Sequence, residues 1–159
     1  MNHHEQLIEK FYKAFQQKDW KTMHTCYHND VVFNDSVFQN LKGKEAKAMW
    51  HMLISRGKDL MLTFNQVKAD ELKGSCHWVA TYTFSKTGRM VINEIDASFE
   101  FKDGLIYRHT DYFDIWKWTR MALGMKGLLL GWTPFLKSKV RATAEEGLKL
   151  FVVRNPAYK

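Results

Sequence analysis

The chain has 159 residues, a length suited to one domain and short of two independent cores. Its 45% hydrophobic and 26% charged residues exclude disordered, collagenous and coiled-coil chains. The net charge of +7 is uneven: residues 1–114 carry 15 Lys/Arg and 15 Asp/Glu, and residues 115–159 carry nine and two, so the body is neutral and the end basic.

Asn2 with Glu5 three residues on forms a capping box, and Leu7, Ile8, Phe11, Ala14 and Phe15 follow at helical spacing. Asp19 caps a second, shorter helix with Trp20, Met23 and Tyr27 on one face, ended by His28-Asn29-Asp30, and Val31 to Phe33 form a short strand. Ala46, Met49, Trp50, Leu53 and Ile54 predict a third helix between Gly43 and Gly57. The period then changes to two: Leu60 to Val67, Ser75 to Phe84, Met90 to Phe101 and Leu105 to Phe113 read as an antiparallel meander joined by short turns. In its last strand Tyr107, His109, Asp111 and Phe113 share a face, which puts two ionisable side chains where apolar ones are expected. From Ile115 a new helical pattern begins, punctuated by Gly124, Gly127, Gly131 and Pro134, and a last helix covers Leu136 to Phe151. Helices followed by a meander imply an α+β fold.

Cys26 and Cys76 show no metal or disulfide spacing, and the first fifteen residues lack the order of a secretion signal, so cytoplasmic residence is expected. No basic run or finger spacing accompanies the positive charge, and no nucleic-acid partner is expected. No cofactor and no metal is expected either; His24 and His28 have helical pair spacing but no third ligand, and a solvated helix face is the simpler reading.

Helix, short helix, strand ending in Asp, helix and meander together resemble the nuclear transport factor 2-like cone, in its SnoaL-like and ketosteroid-isomerase-like branch. The residues that carry the resemblance are Phe11 to Trp20 (FYKAFQQKDW), Val31 to Val37 (VVFNDSV), Gly43 to Trp50 (GKEAKAMW) and Phe99 to Asp114 (FEFKDGLIYRHTDYFD). The resemblance implies a curved antiparallel sheet wrapped around the N-terminal helices as a domain over residues 1–114. Residues 115–159 would be an aromatic, basic helical extension packed on that domain. It also implies a homodimer and a small hydrophobic ligand in a central pocket.

By the resemblance, Asp35 matches a catalytic-base aspartate, and His109 and Asp111 fall on pocket-lining strand positions. His109 would donate a proton or bind an oxyanion, with Asp111 orienting it. The tyrosine of a steroid-type oxyanion hole falls on Phe11, with Tyr12 adjacent, and the acid position on Ala97, with Asp96 out of phase; such a hole is expected to be absent. Phe11, Tyr12, Phe15, Trp50, Trp78, Tyr82, Phe99 and Phe113 would line the pocket. The reactions open to such a trio are proton abstraction beside a carbonyl, aldol-type ring closure and water activation. Two plainer readings stand beside these: Asp35 capping its own turn, and His109 with Asp111 as a buried structural pair. The alternative function is a non-catalytic binding or interaction module whose tail docks on a membrane or a partner subunit.

Overall fold

The computed structural model describes residues Met1–Lys159. Helix α1 (His3–Gln16) starts at the expected capping box, in which the Asn2 side chain accepts from the Glu5 N–H at 2.8 Å and the Glu5 carboxylate accepts from the Asn2 N–H at 2.9 Å. Its inner face buries Leu7, Ile8, Phe11, Tyr12, Ala14 and Phe15, each large side chain contributing about 1.5–3 kcal/mol. The helix lies across the sheet so closely that a Cβ on Gly74 would stand 2.8 Å from Ile8 Cδ1 and 2.9 Å from the Phe101 ring. A side chain there would force Ile8 and Phe101 to shift.

After α2 (Trp20–Thr25) the chain enters β1 (Tyr27–Asn34) directly. Tyr27 and His28 are therefore strand residues, where a continuing helix was expected. The reason is lateral pairing with the last strand, whose bonds begin at the Ile106 N–H to Cys26 carbonyl contact of 2.9 Å. His24 and His28 consequently do not share a helix face: His24 bonds the Lys47 carbonyl and His28 the Asp103 carboxylate. A two-residue strand, β2 (Leu41–Lys42), precedes α3 (Lys44–Arg56) and was not anticipated, being too short to show a period.

The meander follows as β3 (Met61–Ala69), β4 (Lys73–Phe84), β5 (Arg89–Lys102) and β6 (Leu105–Tyr112). The sheet order is β2-β1-β6-β5-β4-β3, antiparallel except for the parallel β1–β6 pair. This is the curved, unclosed sheet with helices in its concavity expected for the cone. A register shift opposite Glu100 and Phe101 breaks the alternation of β6. Ile106, His109 and Asp111 therefore face the core, while Tyr107 turns outward beside Lys102 and His28.

Beyond β6 the Asp114 side chain caps α4 (Ile115–Leu123), followed by α5 (Met125–Leu130), α6 (Pro134–Arg154) and a final short turn at Pro156–Tyr158. This extension is tied to the cone at several points: Trp118 Nε1 donates to Tyr82 Oη at 2.7 Å, Arg141 reaches the Ser36 carbonyl, and Tyr158 Oη lies 2.8 Å from His51 Nδ1. No helix is long and apolar enough to cross a membrane.

Candidate functional site

Strands β1 and β6 run parallel with Phe33 opposite His109 and Asn34 opposite Thr110. One residue further on, just past the end of β1, the register brings Asp35 level with Asp111, the penultimate residue of β6. Both carboxylates line an open depression of about 440 Å³, together with Asn34, Gln39, Asn40 and Thr110.

Beneath the depression lies a buried hydrogen-bond chain. Trp50 Nε1 donates to Tyr27 Oη at 2.7 Å, Tyr27 Oη lies 2.7 Å from His109 Nδ1, and His109 Nε2 lies 3.0 Å from Asp111 Oδ1. The same Asp111 oxygen accepts from Trp78 Nε1 at 3.3 Å. A carboxylate at Asp111 can only accept, so the network assigns a proton to His109 Nε2; Nδ1 then accepts from the Tyr27 hydroxyl, whose oxygen accepts from Trp50. Every donor in the chain has an acceptor. His109 is 0% exposed, walled by Phe11, Phe33, Phe99 and the stacked Trp50 ring. Both of its nitrogens are committed, which leaves Asp111 as the member of the chain that reaches the depression.

Asp35 is held by its own turn. Oδ1 accepts the Val37 and Phe38 N–H groups at 2.7 and 2.5 Å, and the Asp35 N–H donates to the Phe38 carbonyl at 2.8 Å. Its other carboxylate oxygen has no protein partner. Burial pushes the Asp35 carboxyl up to about 7; the two turn N–H groups pull the other way, Asp111 raises it further, and Arg141 opposes. Arg141 comes from α6, where Nε donates to the Ser36 carbonyl at 3.1 Å while its terminal nitrogens make no protein hydrogen bond.

The aromatic residues expected around a pocket are placed as follows. Phe11, Tyr12, Phe15, Trp50, Trp78 and Phe99 are at most 5% exposed and pack largely ring against ring beneath Asp111. Tyr82 and Phe113 are half-buried, and none of the eight lines the depression, whose walls are polar apart from Tyr112. The Tyr12 hydroxyl is buried without a hydrogen-bond partner; burial and then the Asp111 charge push its pKa well above the ordinary value. Asp96 is an outward residue bonded to His77 at 2.8 Å, and Ala97 is buried opposite Asp111. Burial likewise raises both thiols, Cys76 to about 12, which leaves neither as a thiolate near neutral pH. No group of three His, Cys, Asp or Glu side chains is arranged to hold a metal ion.

Two contributors escaped the sequence reading. Tyr27 was assigned to a helix, and only the pairing of β1 with β6 turns it toward His109. Arg141 stands 106 positions from Asp35 on the extension, with no local pattern to connect them.

The cone is that of a nuclear transport factor 2-like domain of the SnoaL and ketosteroid-isomerase type. The chain belongs to the SnoaL-like domain family, whose pattern it matches over residues 8–109. Among solved structures it is similar to a candidate polyketide cyclase from Xanthomonas campestris pv. campestris, with 19% identity, a TM-score of 0.63, and 75% of this chain and 96% of that one covered. A nuclear transport factor 2-like protein of unknown function from Burkholderia pseudomallei gives 15% identity and a TM-score of 0.66 over 76% and 98%. An LEH-like epoxide hydrolase of M. tuberculosis gives 20% identity and a TM-score of 0.61 over 80% and 92%. A search of the curated proteins gives no match.

Proposed function

We propose that the depression at the ends of β1 and β6 binds a small molecule carrying a carbonyl or epoxide oxygen and performs acid–base chemistry on it. Asp35 is the proton carrier. Asp111 is the second carboxylate, held in place by His109 and Trp78, and the free N–H groups of Arg141 meet negative charge developing on the substrate oxygen.

The observation that carries this reading is the state of Asp35. One carboxyl oxygen is fixed by the turn and the other is unpaired beside an open depression, and the burial that pushes the group up to about 7 suits it to act near neutral pH both as acid and as base. The neighbouring Asp111 charge raises the Asp35 value further, and the buried network that fixes Asp111 keeps the pair in register. The turn cap at Asp35 does not compete with this role, since it engages a single oxygen. The resemblance in fold to a candidate polyketide cyclase and an epoxide hydrolase supports the reaction class.

Exchange of α-hydrogens of small cyclic ketones in D2O, followed by proton NMR, tests the reading. Wild type is expected to accelerate exchange, and Asp35→Asn to reduce the rate by roughly 10²–10⁴-fold. Equal rates in the two proteins would remove Asp35 from the chemistry.

A further inference from the structure

The extension turns an apolar surface outward, and the packing of α5 on α4 is the cause. Gly127 is buried so tightly against Thr119 that a Cβ would overlap its carbonyl, and Gly131, four residues on, is buried against the Thr119 hydroxyl and the Trp116 ring. Residues four apart share a helix face, so the glycines take the inner side and the intervening leucines the outer one. Leu128, Leu129 and Leu130 are 43, 61 and 48% exposed, and the next turn adds Trp132 at 61% and Phe135 at 74%. A helix packed for water carries the opposite arrangement.

Along this stretch of the chain the charge has one sign. Between Ile115 and Ala144 there are six Lys/Arg and no Asp/Glu, with Lys126 and Lys139 exposed within or beside the apolar run. We propose that the segment Met125 to Phe135 seats the protein on a membrane surface containing anionic lipid. The leucines, Trp132 and Phe135 enter the boundary between headgroups and acyl chains, and Lys126, Lys137 and Lys139 meet lipid phosphates. No helix is both long and apolar enough to span, so the segment is placed in the interface plane. A second copy of the chain fits this surface less well, because a two-fold contact sets the same patch against itself and would oppose cations with no anion between them. The proposal is independent of the chemistry assigned to Asp35.

Co-sedimentation of the full chain with vesicles tests it, comparing phosphatidylcholine alone with a two-to-one mixture of phosphatidylcholine and phosphatidylglycerol. The protein is expected to sediment with the mixed vesicles and to be weakened by raised salt. The doubly substituted Leu129→Glu, Phe135→Glu protein is expected to lose binding by roughly tenfold or more. Lys126→Gln with Lys139→Gln, which keeps the apolar face, is expected to lose the preference for the anionic lipid. Failure of wild type to sediment with the mixed vesicles, or equal binding to both compositions, overturns the proposal. So does a wild-type dimer in light scattering that the Leu129→Glu, Phe135→Glu substitutions dissociate, since the surface would then be a self-interface.

Discussion

Tyr27 and His109, 82 positions apart in the chain, meet at 2.7 Å, and through this bond a tryptophan N–H at one end and a carboxylate at the other belong to a single buried chain. The bond exists because β1 and β6 run parallel, an arrangement in which the first strand and the last become neighbours. The orientation of each proton in the series thereby depends on the next.

Removal of the middle link should be costly. Tyr27→Phe leaves the Trp50 N–H and His109 Nδ1 unpaired in a region with no access to water, at about 1–3 kcal/mol for each orphaned group. The variant is expected to be destabilised by roughly 2–5 kcal/mol, read by urea denaturation. A loss below about 0.5 kcal/mol would show that the two groups find other partners.

The Asp35 carboxyl should make wild type less stable as pH rises. Its folded value, about 7, lies above the ordinary 3.8, so between those limits the folded state holds a proton that the unfolded state releases. Stability relative to an uncharged residue is full below 3.8 and falls as pH climbs through 7. Asp35→Asn, which keeps an oxygen for the turn N–H groups, is expected to raise the melting temperature by at least about 2–4 °C at pH 8 and to change it little at pH 4. Equal shifts at both pH values would contradict the raised value.

Asp111 contributes to that elevation. In Asp111→Asn the side-chain oxygen can still accept from His109 and Trp78 while the charge is gone. The Asp35 titration, followed by carbon-13 NMR of the carboxyl, is expected to move below about 7. An unmoved midpoint would mean that the two carboxyl groups do not feel one another across the depression.

The parts of the fold that could be read from sequence are those with a strong period. The helix carrying Phe11 and Phe15, the helix carrying Met49 and Trp50, and the long strands of the meander emerge from spacing because each must bury one face. Tyr27 shows where that reading ends: its strand pairs with a partner some 80 residues away, and local propensity favoured continuing the preceding helix. Within β6, His109 and Asp111 were legible as an ionisable pair on a core face. Their division of labour was not, because it depends on which nitrogen meets Tyr27 and which atom reaches the depression. Arg141 shows the same limit, since its place beside Asp35 follows from the path of α6 across the end of the cone.

His24 supplies a pH dependence of the opposite sense. Burial against α3 lowers its pKa from 6.5 to about 4, so the unfolded state takes up a proton first as pH falls. The stability His24 protects is complete above 6.5 and declines as pH drops toward 4. His24→Gln, able to donate to the Lys47 carbonyl, is expected to flatten this slope in chemical denaturation measured across that range. An unchanged slope would place the titrating group elsewhere.

The contact of α5 on α4 sets the last expectation. The backbone of Gly127 is not left-handed, so alanine there is excluded by space alone: its Cβ would fall on the Thr119 carbonyl, which is backbone and cannot rotate away. In Gly127→Ala α5 must therefore lift from α4, at the roughly 1–3 kcal/mol typical of an overpacked contact. Because Trp118 and Arg141 tie the flanking parts of the extension to the cone independently, the damage is expected to stay local. Hydrogen exchange should accelerate over residues 115–131 and remain at the wild-type rate in the strands that carry His109 and Asp111. Accelerated exchange throughout the sheet would mean that the extension and the cone unfold as one unit, and that the leucine face is held in place by the same cooperative core that holds the carboxylates.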